Sequence, residues 1–407
     1  LLPKNYSSLY NIITKIIDFF HQFIIQLLLL QKKMNILKKG IILSSLAFTL
    51  NSCYFGRMVV YNVADVNDYK KFPQLLIHTK DPQPLKINYI SPSDNWFSPD
   101  FLLKKNKNKF KNIHTFIDML QVSETNAFLI LKHDTIIYEY YAPGYDASSI
   151  HTSFSVNKSV IALLLGIAID EGFINSVDDP ITKYISDFED KNMSKVTLRH
   201  LLDMKSGLKF DENYFNPFAE IGKYYYGNNL KGKIRKLKLI KEPGGEYKYQ
   251  SVNTLLIGLA IENATGTPLY QYYETKLWQP LHMEYDATLN VDDTKNLTAK
   301  AFCGLNARAR DYAKIGLVCL NKGNYMGNQI IPEKWINEIM DVEQPIDGEI
   351  SYHYHWRIDA DGNLMAVGLL GQYICISYKN DLVIVRLGAK EGDINWKGYM
   401  RYLANNI

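Results

Sequence analysis

Apolar positions fall into three regimes along the chain. Residues 1 to 53 are dominated by apolar runs, "FFHQFIIQLLLL" and then "IILSSLAFTL". Residues 54 to 112 scatter their hydrophobics among Pro, Asn, Asp and Lys, as in "DPQPLKINYISPSDNW" and "KKNKNKFK". From residue 113 onward the pattern is that of a folded domain. A short helix is expected over 113 to 122. "AFLILKHDTIIYEYY" then predicts a β-hairpin, with His133 and Asp134 at the bend. Val160 to Ile169 is apolar almost all round and reads as a buried helix. Helical periodicity continues through "TLRHLLDMKSGL", "SVNTLLIGLAIENATG", "PLYQYYETKLWQPL" and "ARDYAKIGLVCLNKG". The end returns to strands in "LMAVGLLGQYICISYKNDLVIVRLGAK", two runs around a Lys-Asn-Asp turn, and 393 to 405 predicts a closing helix. Strands at both ends with helices between them imply an α+β fold. Its antiparallel sheet would join the N- and C-terminal strands, flanked by helices, with an inserted helical subdomain and a cleft between the two.

The 407 residues suffice for one large domain or two modest ones, and 47% hydrophobic content supports a substantial core. The net charge of +4 comes from the start of the chain. Residues 1 to 53 hold six lysines and one acid, Asp18, which leaves the remainder at −1. No basic surface is implied for the folded part, so nucleic acid is excluded as a partner.

The first methionine is Met34, and "MNILKKGIILSSLAFTLNSC" follows it. Lys38 and Lys39 form a basic n-region, Ile41 to Leu50 an apolar h-region, and a small-residue site ends at Cys53. Ten residues are too few to cross a bilayer as a helix. "Leu50-Asn51-Ser52-Cys53" resembles the lipobox of bacterial lipoproteins, which implies lipidation of Cys53 and a location in the cell envelope, facing the periplasm or exterior. The expected organisation is upstream translation over 1–33, a signal over 34–53, a tether or extension over 54–112, and the domain over 113–407. Cys303, Cys319 and Cys375 have no CxxC spacing and are expected as packed thiols. There is no HExxH, and His353 and His355 in "YHYHW" have strand spacing without a third ligand, so no metal site is expected.

Candidate chemistry centres on Ser155 and Lys158 in "FSVNKS". Residues three apart on a helix are neighbours, so the two face one side, one turn apart, where the buried helix begins. The N-terminus offers free N–H groups and partial positive charge to a serine alkoxide, and the Ser155 N–H can help hold an oxyanion. Lys158, half-buried beside an apolar helix, could take the serine proton. The bland alternative is a capping serine with a solvated lysine. A second Ser-x-x-Lys, Ser206 to Lys209, contains Gly207 and has no buried helix behind it.

Two further stretches bear on this choice, "EPGGEYKYQSVNTLLIGLAIENATG" and "AVGLLGQYICI". With "FSVNKS" they resemble the three motifs of the serine β-lactamase and penicillin-binding-protein superfamily, most nearly the branch of esterases and amidases that includes 6-aminohexanoate-dimer hydrolase. The resemblance covers about 113 to 405 and extends to "GIAIDEGFINSVDDPITKYI", "VTLRHLLDMKSGL" and "NARARDYAKIG". It implies that Ser155 is the acylated nucleophile, Lys158 its partner, and Tyr249 the general base and later general acid. Ser251 would contact the lysine or substrate, with Asn253 as a substitute. The third motif would lie on a strand along the cleft, with Leu370 and Gly371 against substrate and the Gln372 N–H pairing with that of Ser155 as the oxyanion hole.

Penicillin-recognising relatives carry Lys-Thr-Gly or His-x-Gly in this third motif, whereas this chain has Leu369-Leu370-Gly371, with no cation for a substrate carboxylate. The expectation is therefore a serine hydrolase acting on a neutral small-molecule or short-peptide ester or amide. It needs no cofactor and implies no protein partner. A β-lactamase or D-Ala carboxypeptidase is one alternative, and a non-catalytic lipoprotein that binds cell-wall fragments is another. An α/β-hydrolase would need G-x-S-x-G, which is absent.

Overall fold

The computed structural model of the chain describes residues 54–61, 64–102, 113–214, 216, 218–342 and 350–407. The signal expected over 34–53, with Cys53, lies outside them. The chain divides into two compact units, one of residues 1–63 and 211–227, the other of residues 64–210 and 228–407. In the described part of the first, helices Tyr54–Tyr61 and Glu220–Tyr225 occur, and Arg57 donates to the Tyr226 carbonyl at 3.2 Å.

The second unit is built on an eight-stranded sheet. Its strands are β1 (Lys86–Ile87), β2 (Thr125–Lys132), β3 (Thr135–Tyr141), β4 (Ile350–His353), β5 (Trp356–Asp359), β6 (Leu364–Gly368), β7 (Gln372–Ser377) and β8 (Leu382–Gly388). They lie in the order β4-β5-β6-β7-β8-β2-β3-β1, antiparallel except for β1 on β3. The last strand pairs with the first long one, Ile384 opposite Ile130 and Arg386 opposite Phe128. The α+β reading, with N- and C-terminal strands in one antiparallel sheet, therefore holds.

Helices cover both faces because both faces are apolar. On one face lie α1 (Phe116–Val122) and the closing helix α5 (Trp396–Asn406), whose Phe116, Trp396 and Tyr399 bury with Phe128, Cys375 and Ile384. A capping box of Thr115 and Asp118 starts α1. On the other lie α2 (Val156–Asp170) and α4 (Ala309–Leu320). Gly316 of α4 has no room for a side chain, since a Cβ there would stand 2.4 Å from Val383 Cγ1. Behind α2 packs α3 (Ser251–Thr265), and both are buried nearly all round, as the unbroken apolar runs require. The left-handed Gly172 (φ +77) stops α2 just past its end. A smaller sheet orders strands Gln74–Ile77, Ala287–Asn290, Leu305–Ala307 and His151–Thr152, the last of which feeds the chain into α2.

Four features differ from the sequence reading. The terminal apolar run makes three strands, because a turn at 369–371 breaks it between β6 and β7. Strands β4 and β5 were not foreseen. His353 ends β4, and His355 follows in a left-handed turn (φ 65), so the two histidines do not share a strand. Of the extension expected over 54–112, parts of residues 64–102 are built into the fold: Gln74–Ile77 pairs with Ala287–Asn290, and Trp96 is 2% exposed in the core. Cys303, Cys319 and Cys375 are buried and form no disulfide.

Candidate active site

The helix that begins just after Ser155 is pinned at its start. Ser153 N–H donates to the Leu305 carbonyl at 2.9 Å, and Asn157 Nδ2 to the Ala301 carbonyl at 2.6 Å. Phe154, just before the serine, is buried in a left-handed conformation (φ 43), which costs a side chain of this kind roughly 1–2 kcal/mol. Strain of this sort persists only where the surroundings hold it, and here it turns Ser155 onto the helix end. Ser155 has no capping hydrogen bond to the helix, contrary to the bland alternative. Among the described residues its N–H donates to no backbone acceptor.

Lys158 is 1% exposed. Its Nζ donates to Ser155 Oγ at 2.9 Å and to the Phe302 carbonyl at 2.9 Å. Burying an amine here is sustainable only with such partners, and one of them is the serine. The same Nζ lies 5.1 Å from the centre of the Tyr249 ring, and Tyr249 is half-buried. The structure thus brings Ser155, Lys158 and Tyr249 together.

Tyr249 is braced by residues that the sequence did not assign to the site. Tyr352 meets it edge-on, ring centres 6.1 Å apart. His355 sits behind, its Nε2 3.0 Å from Thr254 Oγ1 and its Nδ1 3.4 Å from the Tyr352 hydroxyl. Burial, then the nearby Lys158, push His355 down to about 3, so it is a neutral brace at ordinary pH. Burial drives the Tyr352 hydroxyl well above its usual range, so it too stays neutral. These positions lie in "YHYHW", where a reader looks first for metal ligands.

Of the substrate-binding candidates, Ser251 is buried at the first turn of α3. Asn253 is turned away, accepting from Ser206 Oγ at 2.8 Å and donating to Met204 Sδ at 3.3 Å, so it does not stand in for Ser251. This also accounts for the second Ser-x-x-Lys, whose Ser206 is a buried structural hydroxyl and whose Lys209 is exposed.

The third motif needs correction. Leu370 and Gly371 are in the turn after β6 rather than on a strand, both left-handed at φ 61 and 83. The glycine against the serine is Gly368: a Cβ there would lie 3.2 Å from Ser155 N and 2.5 Å from the Ser153 carbonyl. A Cβ at Gly371 would instead strike Arg386 Nη1 at 1.9 Å, so that glycine makes room for an arginine, not a substrate. Gln372 opens β7 opposite Gly368, and its side chain binds the Leu369 and Gly388 carbonyls at 3.0 and 2.7 Å. The N–H that follows the close-approach glycine is that of Leu369, which donates to no acceptor among the described residues. Two glycines three apart made the register ambiguous in sequence. In either register, Ala366-Val367-Gly368 or Leu369-Leu370-Gly371, the motif lacks a cation.

Two surface hollows, one along residues 333–341 and one around Arg199, Trp335 and Tyr354, are lined by none of these residues. Among the described residues no three His, Cys, Asp or Glu side chains converge as a metal site would need.

Comparison with known proteins identifies the family and the fold. The Beta-lactamase family model matches residues 121–402, and the chain belongs to that family, whose fold is that of serine β-lactamase-like hydrolases. The chain is similar to 6-aminohexanoate-dimer hydrolase of Paenarthrobacter ureafaciens, 27% identical over 294 residues, 66% of this chain and 74% of that one. It is 30% identical over 179 residues to a protein of Escherichia coli O157:H7 provisionally named D-alanyl-D-alanine carboxypeptidase, 41% of this chain but only 39% of that one. Among solved structures, a Bacillus anthracis protein provisionally named 6-aminohexanoate-dimer hydrolase superposes with a TM-score of 0.66 at 22% identity, over 82% of this chain and 89% of that one, a likeness of fold.

Proposed function

We propose that the chain is a serine hydrolase that cleaves a neutral ester or amide through an acyl-enzyme on Ser155. The observation that carries this is the buried Lys158 amine, its Nζ held 2.9 Å from Ser155 Oγ and fixed by the Phe302 carbonyl. As Ser155 Oγ attacks the carbonyl carbon, its proton passes to the Lys158–Tyr249 pair. The oxygen that gains negative charge lies under the N–H groups of Ser155 and Leu369. When the tetrahedral intermediate collapses, Tyr249 returns the proton to the departing alkoxide or amine. Water then repeats the sequence and frees the acid. The similarity to 6-aminohexanoate-dimer hydrolase supports an amide as one substrate class. The absence of a cation between Ala366 and Gly371 argues against substrates with a carboxylate beside the scissile bond.

The test is turnover of p-nitrophenyl acetate and butyrate by the native chain and by Ser155→Ala, with nitrocefin alongside. The reading predicts ester turnover that vanishes in Ser155→Ala and little action on nitrocefin. Rapid nitrocefin cleavage would favour a β-lactamase. Turnover untouched by the substitution would remove Ser155 from the mechanism. No turnover and no acyl adduct would favour a non-catalytic binding protein.

A further inference from the structure

Arg386 is 0% exposed, in mid-β8, and the mechanism above does not use it. Its guanidinium lies over Trp396, 4.1 Å from the ring centre. It is fully engaged: Nε donates to Thr125 Oγ1 at 2.9 Å, Nη2 to the carbonyls of Ser123 at 2.9 Å and Lys390 at 2.6 Å, and Nη1 to those of Gly371 at 2.6 Å and Leu370 at 3.4 Å. Gln372 Nε2 holds the remaining carbonyl of that turn, Leu369, at 3.0 Å. All three carbonyls between β6 and β7 are therefore held by two buried side chains. The turn needs holding, because Leu370 is left-handed there at φ 61, a conformation that a branched side chain seldom adopts. Space for the arginine is reserved at two glycines, since a Cβ at Gly371 or Gly388 would come within 1.9 or 2.7 Å of its nitrogens.

What this clamp fixes is the backbone one peptide bond beyond Gly368, the residue pressed against Ser155 N. We infer that Arg386, with Gln372, is a positioning residue for the oxyanion hole: it holds the strained 369–371 turn so that the Leu369 N–H stays beside the Ser155 N–H. This rests on the serine-hydrolase reading above. A preorganised donor is effective because it need not reorient as charge develops. Loosening the turn should therefore slow acylation without weakening substrate binding.

The experiment measures single-turnover acylation by p-nitrophenyl butyrate, KM, the acyl-carbonyl infrared band and thermal stability. It uses the native chain, Arg386→Lys, Gln372→Met, Thr125→Val and Ser155→Ala. Arg386→Lys keeps a cation but cannot reach all the carbonyls at once. Gln372→Met leaves the Leu369 carbonyl without its donor and keeps the arginine, so the inference stays testable if one variant folds poorly. Thr125→Val removes an Arg386 partner remote from the turn. The expected result is acylation slowed about 10- to 100-fold in Arg386→Lys and Gln372→Met. KM should stay within about threefold, and the carbonyl band should move to higher frequency as its hydrogen bonds weaken. Thr125→Val should lose stability alone. Acylation within twofold of native in the two turn variants, with an unmoved band, would make Arg386 a purely structural residue. If the native chain shows no acylation that Ser155→Ala abolishes, the serine-hydrolase reading fails and this inference with it.

Discussion

Replacing Lys158 by Met separates the chemistry of this site from its packing. Methionine has nearly the length and volume of lysine and suits a position that is 1% exposed. It removes the nitrogen 2.9 Å from Ser155 Oγ, so the serine loses its proton acceptor. A positioned acid or base contributes about 10²- to 10⁴-fold to rate, or roughly 3–5 kcal/mol of barrier. The stability effect runs both ways. The Phe302 carbonyl loses its donor, which costs about 1–3 kcal/mol. Against that, an amine no longer has to be withdrawn from water. The two roughly offset, and the midpoint of urea unfolding should correspond to a change within about 2 kcal/mol. The assay is p-nitrophenyl butyrate turnover beside urea unfolding of the same preparation. Turnover above a tenth of native in a folded Lys158→Met would refute the proton-transfer role. Loss of activity accompanied by loss of the fold would leave the lysine with a structural role only.

Other expectations follow from particular contacts. Gly368→Ala should lower kcat by about 10²-fold with a native circular dichroism spectrum, because the added methyl presses on the Ser153 carbonyl and the Ser155 N–H that holds the oxyanion. Gly316→Ala should act in the opposite way, costing about 1–3 kcal/mol of stability through contact with Val383 while kcat is unchanged. Burial lowers His151 to about 4 and, with Lys158, His355 to about 3, so both stay neutral in the fold. Only the unfolded chain takes up their protons below about pH 6.5, so stability falls as pH drops from 6.5 towards 4, each contributing about 2 kcal/mol at pH 5. Urea unfolding at pH 7.5 and 5 checks this, and His355→Gln should flatten the slope. Cys53→Ser should move the protein from the membrane to the soluble fraction on cell fractionation if Cys53 carries lipid.

Much of the fold was legible because its elements carry strong local signals. The His133-Asp134 hairpin, the apolar runs of α2 and α3 and the closing helix all lie where the pattern put them. The Ser155–Lys158 pair was legible because helical spacing alone makes the two neighbours. The 369–371 turn was not: Leu369 and Leu370 continue an apolar run, and nothing local reveals that the turn's carbonyls are held by Arg386, fifteen residues beyond Gly371. Strand Gln74–Ile77 was hidden for a similar reason. It is short, its partner lies more than two hundred residues away, and the surrounding Pro and Asp dilute its signal. Tyr249 was reached through its motif, but its braces, Tyr352 near the end of β4 and His355 in the bend that follows, carry no local signal that ties them to it.

The central claim is that Ser155 becomes covalently acylated. Its most direct test is intact and peptide mass spectrometry of the chain quenched in acid seconds after mixing with p-nitrophenyl butyrate. The account predicts one added butyryl group, located on the peptide containing Ser155, absent from Ser155→Ala and slow to appear in Lys158→Met. An adduct on another residue, or the same adduct in Ser155→Ala, would contradict it.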